Sequence, residues 1–180
     1  MDTHLLRIFQ RQVENQCFGA LMAAETAQGA LNPLNQDVFW SSIQNCLTAV
    51  ANISKALWGQ TGKYSAERKP LRDSLDVGDD SPLKPTSMRN NFEHFDERLD
   101  DWYATSANHN YLDHMIGPPN IVGGFADTDM FRVFDPTTAE LVFWGKRYPL
   151  KTIMDEVGRL HPIAHTEGSK PHWDPVGPPP

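Results

Sequence analysis

Cysteine is scarce in this chain: two in 180 residues, Cys17 and Cys46. Both fall inside apolar periodic stretches, so they read as small buried hydrophobes rather than as a disulfide framework or a metal pair. No apolar run approaches the ~18 residues that a membrane-spanning helix needs. An excess of cations is missing too, since the net charge is −7 and the pI is near 5.4. An acidic chain is a poor non-specific binder of nucleic acid, because backbone binding depends on Lys and Arg neutralising phosphates. Any contact with nucleic acid must then be local. The start, Met1-Asp2-Thr3-His4, has no basic flank leading into an apolar stretch. No signal peptide is expected, and the expected setting is a reducing cytoplasm with no membrane contact. There is no internal repeat.

What is present suits a packed protein. Aromatics are 10% of the chain and include five Trp, far too much apolar surface for a disordered chain. The length gives one domain with room for an appendage. Leu5, Phe9, Val13, Cys17, Leu21 and Ala24 recur at spacings of three or four and predict a helix over 4–31, started by Asp2 or Thr3 and ended by Asn32-Pro33. A second helix is expected over 36–58, with Phe39, Ile43, Cys46, Leu47, Val50, Ile53, Leu57 and Trp58 as a wide apolar stripe and Gly59 as its stop. The link between them is short, which predicts an antiparallel pair. A short helix is expected within 66–77, beside a group of cations (Lys63, Arg68, Lys69 and Arg72) that reads as a solvated face or a phosphate-contacting edge.

One continuous helix is expected over 86–104, with Met88, Phe92, Phe95, Leu99, Trp102 and Tyr103 on one side. Beyond residue 105 the composition changes. Residues 130–134 and 139–144 read as two strands joined by Asp135-Pro136-Thr137-Thr138, a β-hairpin. Pro149 can open a helix over 149–160, and residues 166–180, with five Pro, read as a disordered or extended tail. The expected fold is therefore mainly α: an antiparallel helical bundle over 1–105, a loop, β-hairpin and short C-terminal helix packed on it over 106–165, and the tail.

The segment that carries chemistry is Met88-Arg89-Asn90-Asn91-Phe92-Glu93-His94-Phe95-Asp96-Glu97-Arg98-Leu99, which contains Arg-Asn-x-x-x-His. In a helical bundle, this motif resembles the HEPN superfamily, whose members share an Arg-x4–6-His motif, often with a polar residue straight after the Arg. The resemblance covers about residues 4–104 and leaves out the hairpin and final helix. It implies a small antiparallel bundle and, in many members, a metal-independent endoribonuclease acting as a homodimer with two motifs face to face. Toxin or defence roles, and an antitoxin or other partner protein, are implied by the resemblance alone.

The chemistry of these residue types fits. Cutting RNA without a metal requires taking a proton from the 2′-hydroxyl, protonating the leaving 5′ oxygen and holding the charge on phosphorus. An imidazole such as His94 can hold or give a proton near neutrality. The Arg89 guanidinium matches two phosphate oxygens, and Asn90 can orient the phosphate or hold Arg89. On one helix, Arg89 and His94 would stand about 140° apart around the axis and about 7.5 Å along it. A single helix does not aim both at one atom, whereas two helices crossing near a two-fold axis can. The catalytic reading therefore demands a dimer.

Two plainer readings stand beside it. The same cleft can bind a nucleotide or partner protein without catalysis. Alternatively, Arg89 and Glu93 make an ordinary i,i+4 ion pair on an acidic, solvated helix and His94 is a surface residue. Asn45, Asn52 and Lys55 of the second helix are candidate substrate-binding residues if their side meets the 86–104 helix; otherwise they serve interhelical hydrogen bonding and the surface. His109 and His114 near Asp113 are too few for a metal site, and no cofactor is expected. Gly117-Pro118-Pro119 with Gly123-Gly124 lacks the Lys and strand-to-helix setting of a phosphate loop. Ser41, Ser42 and Ser54 lack a nucleophile-elbow pattern.

Overall fold

The computed structural model describes residues 1–118 and 123–174, with Met88 described by its backbone alone. The chain is mainly helical, with a small sheet of four strands. The first helix, α1 (Thr3–Gly29), is capped by Asp2, whose Oδ1 accepts the Leu5 N–H at 3.2 Å. The second, α2 (Gln36–Trp58), is capped in the same way by Asn35. It carries Asp37 in its first turn and Lys55 in its last, the signs that the helix dipole favours. Gly59 ends α2 at φ +79°, where a Cβ would lie 2.8 Å from the Tyr64 backbone nitrogen. Only glycine fits that turn.

Three helices then form a layer. Asn52 of α2 donates to Gln16 of α1 at 3.2 Å, while Ala27 of α1 and Ile43 of α2 border one cavity, so the two run antiparallel. The last helix, α6 (Leu150–Ser169), lies along α1 in the same antiparallel sense, as the contacts Arg11 to Gly168 and Glu14 to His165 show. Between α2 and α6 in sequence come α3 (Lys69–Ser74), α4 (Ser87–Glu93), α5 (Phe95–Thr105) and the strands β1 (Met115–Ile116), β2 (Arg132–Asp135), β3 (Glu140–Phe143) and β4 (Lys146–Tyr148). The sheet order is β1-β2-β3-β4, with β1 and β2 parallel and the other pairs antiparallel.

The strands alternate. Phe134 and Leu141, opposite each other, join the main core, while Val133 and Val142, also opposite, join a small cluster with Met130 on the other face. The main core runs continuously from Leu6 to Ala164, so residues on both sides of the expected 105/106 boundary share it. Phe39 of α2 meets Phe134 at 4.9 Å between ring centroids, and Phe92 of α4 meets Phe143 at 5.8 Å.

Several expectations need correction. The helix expected over 86–104 is two helices, broken at His94, whose φ −99° and ψ 41° leave the helical region. Phe92 is buried between Trp40 and Phe143, while Phe95, just past the break, is half exposed. The stripe expected to share one side is thus interrupted by the demands of α2 and the sheet. The expected short helix shrinks to Lys69–Ser74, with Pro70 in its first turn. Two further strands join the hairpin: β1, held by Asp113 against Arg132, and β4, which follows a tight turn at Trp144 (φ +47°) and Gly145 (φ +74°).

The C-terminal helix continues past residue 160 to Ser169, with Pro162 inside it, and takes the first residues of the expected tail. Proline costs that helix one backbone hydrogen bond. Long-range contacts offset the loss, because Arg7 and Arg11 of α1 donate to the Glu167 and Gly168 carbonyls at 3.1 and 2.8 Å. Residues 175–180 of the expected tail and 119–122 of the glycine–proline loop lie outside the described residues.

Candidate functional site

The segment α4–α5 presents the motif residues, but apart from one another. Arg89 Nη1 donates to Asn90 Oδ1 at 3.1 Å, and its Nε lies 2.5 Å from Glu93 Oε1. The plain i,i+4 ion pair is therefore present, with both side chains partly sheltered. His94 sits at the junction of the two helices, its side chain about half exposed, with Nδ1 3.9 Å from Glu97 Oε1. Backbone bonding carries across the break, with the His94 N–H reaching the Asn90 carbonyl and the Arg98 N–H reaching the His94 carbonyl. Within the described residues no hydrogen bond or ion pair joins Arg89 to His94.

The second-helix candidates are not brought to this pair either. Asn52 bonds Gln16 across the α1–α2 interface, its interhelical role, and Asn45 is exposed. Lys55 is half-buried near the end of α2. Where α2 meets α4, the aromatic contact is Trp40 with Phe92 at 6.5 Å. Among the described residues, no hydrogen bond or ion pair links Asn45, Asn52 or Lys55 to Arg89 or His94.

What gathers instead is a groove between α5 and the β3–β4 turn. One hollow, of about 290 Å³, is lined by Asn91, Arg98, Asp101, Phe143, Trp144 and Lys146. A second, of about 240 Å³, adjoins it, sharing Asp101 and Trp144 and adding Trp102, Thr105, Ser106 and Thr128. Arg98 is held by two neighbours: Nε donates to Asn91 Oδ1 at 3.2 Å, and Nη1 lies 3.6 Å from Asp101 Oδ2. Asn91 is itself fixed by donating to the Tyr148 hydroxyl at 2.8 Å. A guanidinium has five N–H donors, so these contacts leave capacity for an acceptor in the groove. Arg98 and Lys146 supply positive charge, and the half-buried Trp144 and Trp102 supply ring surface, while Phe143 borders the hollow from the buried core.

Arg98 was readable in part. Asn91 and Arg98 are seven apart, which puts them two turns along one side of a helix, four residues beyond His94. Nothing local marked Lys146, because the turn at Trp144 and Gly145 uses left-handed backbone at a tryptophan.

A second polar cluster anchors β1. Asp113 accepts two bonds from Arg132, one from Nε at 2.8 Å, and a third from the Tyr111 hydroxyl at 3.1 Å. Burial pushes the Asp113 carboxyl up, but Arg132, with help from His114, more than offsets this and holds it below the usual carboxylate range. Burial and the neighbouring acid push the Tyr111 phenol up to about 12. His114, in left-handed backbone at φ +56°, stacks on Trp40 at 5.3 Å. Burial first, and then the Arg132 charge, keep its imidazole below the ordinary value, against the pull of Asp113 and Asp37. His109 turns the other way, its Nε2 3.1 Å from the Tyr103 carbonyl. The two histidines do not converge, and among the described residues no three His, Cys, Asp or Glu side chains are grouped as metal ligands would be.

No known protein family, no curated protein and no solved structure matches the chain. No helix among the described residues is long and apolar enough to cross a membrane.

Proposed function

We propose that this chain is a HEPN-like helical module that binds a nucleotide in the groove between α5 and the β3–β4 turn, and that it works as a pair of copies. One observation carries the reading: Arg98 and Lys146 border a hollow that the partly exposed Trp144 also lines. A nucleotide is a flat ring joined to a phosphate. Stacking on an aromatic side chain is worth roughly 1–3 kcal/mol per base, and a guanidinium pairs with two phosphate oxygens at once. Asn91 keeps Arg98 oriented, so less side-chain freedom is lost on binding. With a net charge of −7 the protein offers little long-range attraction, and affinity rests on this local pair of cations.

The test is a calorimetric titration of the full chain with adenosine and guanosine monophosphates. Saturable binding is expected, weakened at least tenfold in the double variant Arg98→Ala, Lys146→Ala. No binding at millimolar nucleotide, or binding by the double variant equal to that of the wild type, removes the proposal.

A second reading, the metal-independent ribonuclease, is favoured by His94, whose half-exposed ring makes no hydrogen bond among the described residues and can meet a substrate. Arg89 is occupied by Asn90 and Glu93 within its own chain, so substrate has to displace Glu93, or a second copy has to complete the site. An RNA-cleavage assay in EDTA, wild type against His94→Ala, decides it. Products ending in 2′,3′-cyclic phosphate that vanish in the variant support cleavage. An inactive wild type, or an equally active variant, ends it. Light scattering that shows only monomer at micromolar concentration counts against the paired module.

A further inference from the structure

At the margin of the main core, on the face of the sheet that carries Phe134, a half-open pocket lies beside α2. A cavity of about 190 Å³ lies where the C-terminal turns of α1, the N-terminal half of α2, β2 and the first turn of α6 meet. From α1 the small side chains of Ala24 and Ala27 line it, and Phe39 and Phe134, with ring centroids 4.9 Å apart, line it as well. The unbranched thioether of Met154 forms another part of the lining and can adjust to an occupant. The polar side chains at the rim are Gln28 and Lys151, both exposed.

An apolar cavity of roughly 150 Å³ takes up benzene, so this one has room for one ring or a chain of about six carbons. Lys151 sets the sign of the polar end. Its Nζ pairs with Asp155 at 2.6 Å, both side chains being about two-thirds exposed. Such a surface pair is weak and can exchange Asp155 for another carboxylate. We propose that this cavity binds a small carboxylic acid: its compact hydrocarbon body lies between Phe39, Phe134 and Met154, and its carboxylate sits at the rim beside Lys151 and the Gln28 amide. The site is separate from the groove at α5 and does not depend on the nucleotide reading.

Hexanoate is the probe and hexanol its uncharged control, titrated into the full chain while the Met154 methyl resonance is followed by NMR. Saturable shifts of that methyl are expected with both, with hexanoate binding at least fivefold tighter. Lys151→Gln is expected to weaken hexanoate at least fivefold and to leave hexanol unchanged, a contrast that a merely structural lysine would not produce. Ala27→Leu fills the cavity and is expected to abolish both. Should that variant not fold, Ala24→Leu, on the same wall, takes its place. The proposal is overturned if hexanoate leaves the Met154 methyl unmoved, if filling the cavity leaves binding intact, or if Lys151→Gln affects hexanoate and hexanol alike. Shifts of the Met154 methyl that grow with protein concentration alone, without added acid, would mean that a second copy occupies the space, and would overturn it as well.

Discussion

Replacing Arg7 with alanine is expected to lower the unfolding free energy by about 3 kcal/mol, and the structure shows why. Arg7 is 1% exposed, yet it is charged. Its Nη1 donates to Gln10 Oε1 at 2.9 Å and to the Glu167 carbonyl and carboxylate at 3.1 and 3.3 Å, while Nη2 donates to the Asp174 carbonyl at 3.1 Å. Hydrogen bonds from a charged group contribute roughly 1.5–3 kcal/mol each, and removing one partner of a buried ion pair costs about 3–5 kcal/mol. The lower end applies, because Glu167 is 18% exposed and keeps Lys170 Nζ at 2.5 Å, so the carboxylate left behind is partly solvated and still paired. Arg7→Lys is expected to recover only part of the loss, since one ammonium does not span Gln10, Glu167 and Asp174 as the planar fork does. Urea unfolding followed by tryptophan fluorescence measures the change, with the m-value expected to stay constant. Amide hydrogen exchange supplies a local readout, because protection of 168–174 should fall more than protection of α2. A loss below about 1 kcal/mol, or unchanged exchange at the end of α6, would refute the view that this buried arginine holds the C-terminal turn in place.

His94→Ala is expected to leave stability within about 0.5 kcal/mol of wild type, since the ring is about half exposed and its one ionic neighbour among the described residues, Glu97, is 3.9 Å away, so an activity lost in that variant reports chemistry rather than unfolding; thermal unfolding checks it. Burial pushes the Cys17 and Cys46 thiols up to about 12. Unfolded thiols titrate near 8.5, so the native state holds more protons above that pH; stability is full below about pH 8.5 and falls as pH rises toward 12, by up to about 1.4 kcal/mol per pH unit for each thiol. Urea midpoints from pH 8 to 10 test this, with Cys46→Ala expected to flatten the slope. Asp113 carries the opposite sign, its lowered carboxyl adding stability above about pH 4 that is lost as pH falls further, so Asp113→Asn should shallow the decline between pH 4 and 2. The Trp40 indole N–H is buried with no acceptor among the described residues. Trp40→Phe should therefore cost no more than about 1 kcal/mol, against roughly 3–5 kcal/mol for Trp40→Ala, as denaturant titration would show.

The motif segment shows where reading by periodicity stops. Phe92, Phe95, Leu99 and Trp102 recur as a helix side should, and the hydrogen bonds on either side of His94 are those of a helix. The break itself is not written in any residue of the segment: no proline or glycine marks it. It follows from Phe92 having to fit between Trp40 and Phe143, contacts that lie roughly fifty residues away in sequence. The groove has the same origin. Asn91 and Arg98 are legible as neighbours on one helix side, whereas Lys146 and Trp144 reach them only because the β3–β4 turn folds over α5.

From the sequence alone came the first helix, expected over 4–31 and found as Thr3–Gly29, the second over 36–58, a cap at Asp2 or Thr3 of which Asp2 serves, the Gly59 stop and the turn joining β2 to β3. These depend on dihedral preferences and hydrogen bonds within a few residues, together with an apolar stripe that has one way to be buried. The i,i+4 pair of Arg89 with Glu93 is likewise local, whereas tertiary structure alone decided the length of α6, the position of His94 and the space beside Lys151. Each is set by what packs against it from a distant part of the chain, and a contact such as that of Arg7 with Glu167, 160 residues apart, leaves no local pattern to read.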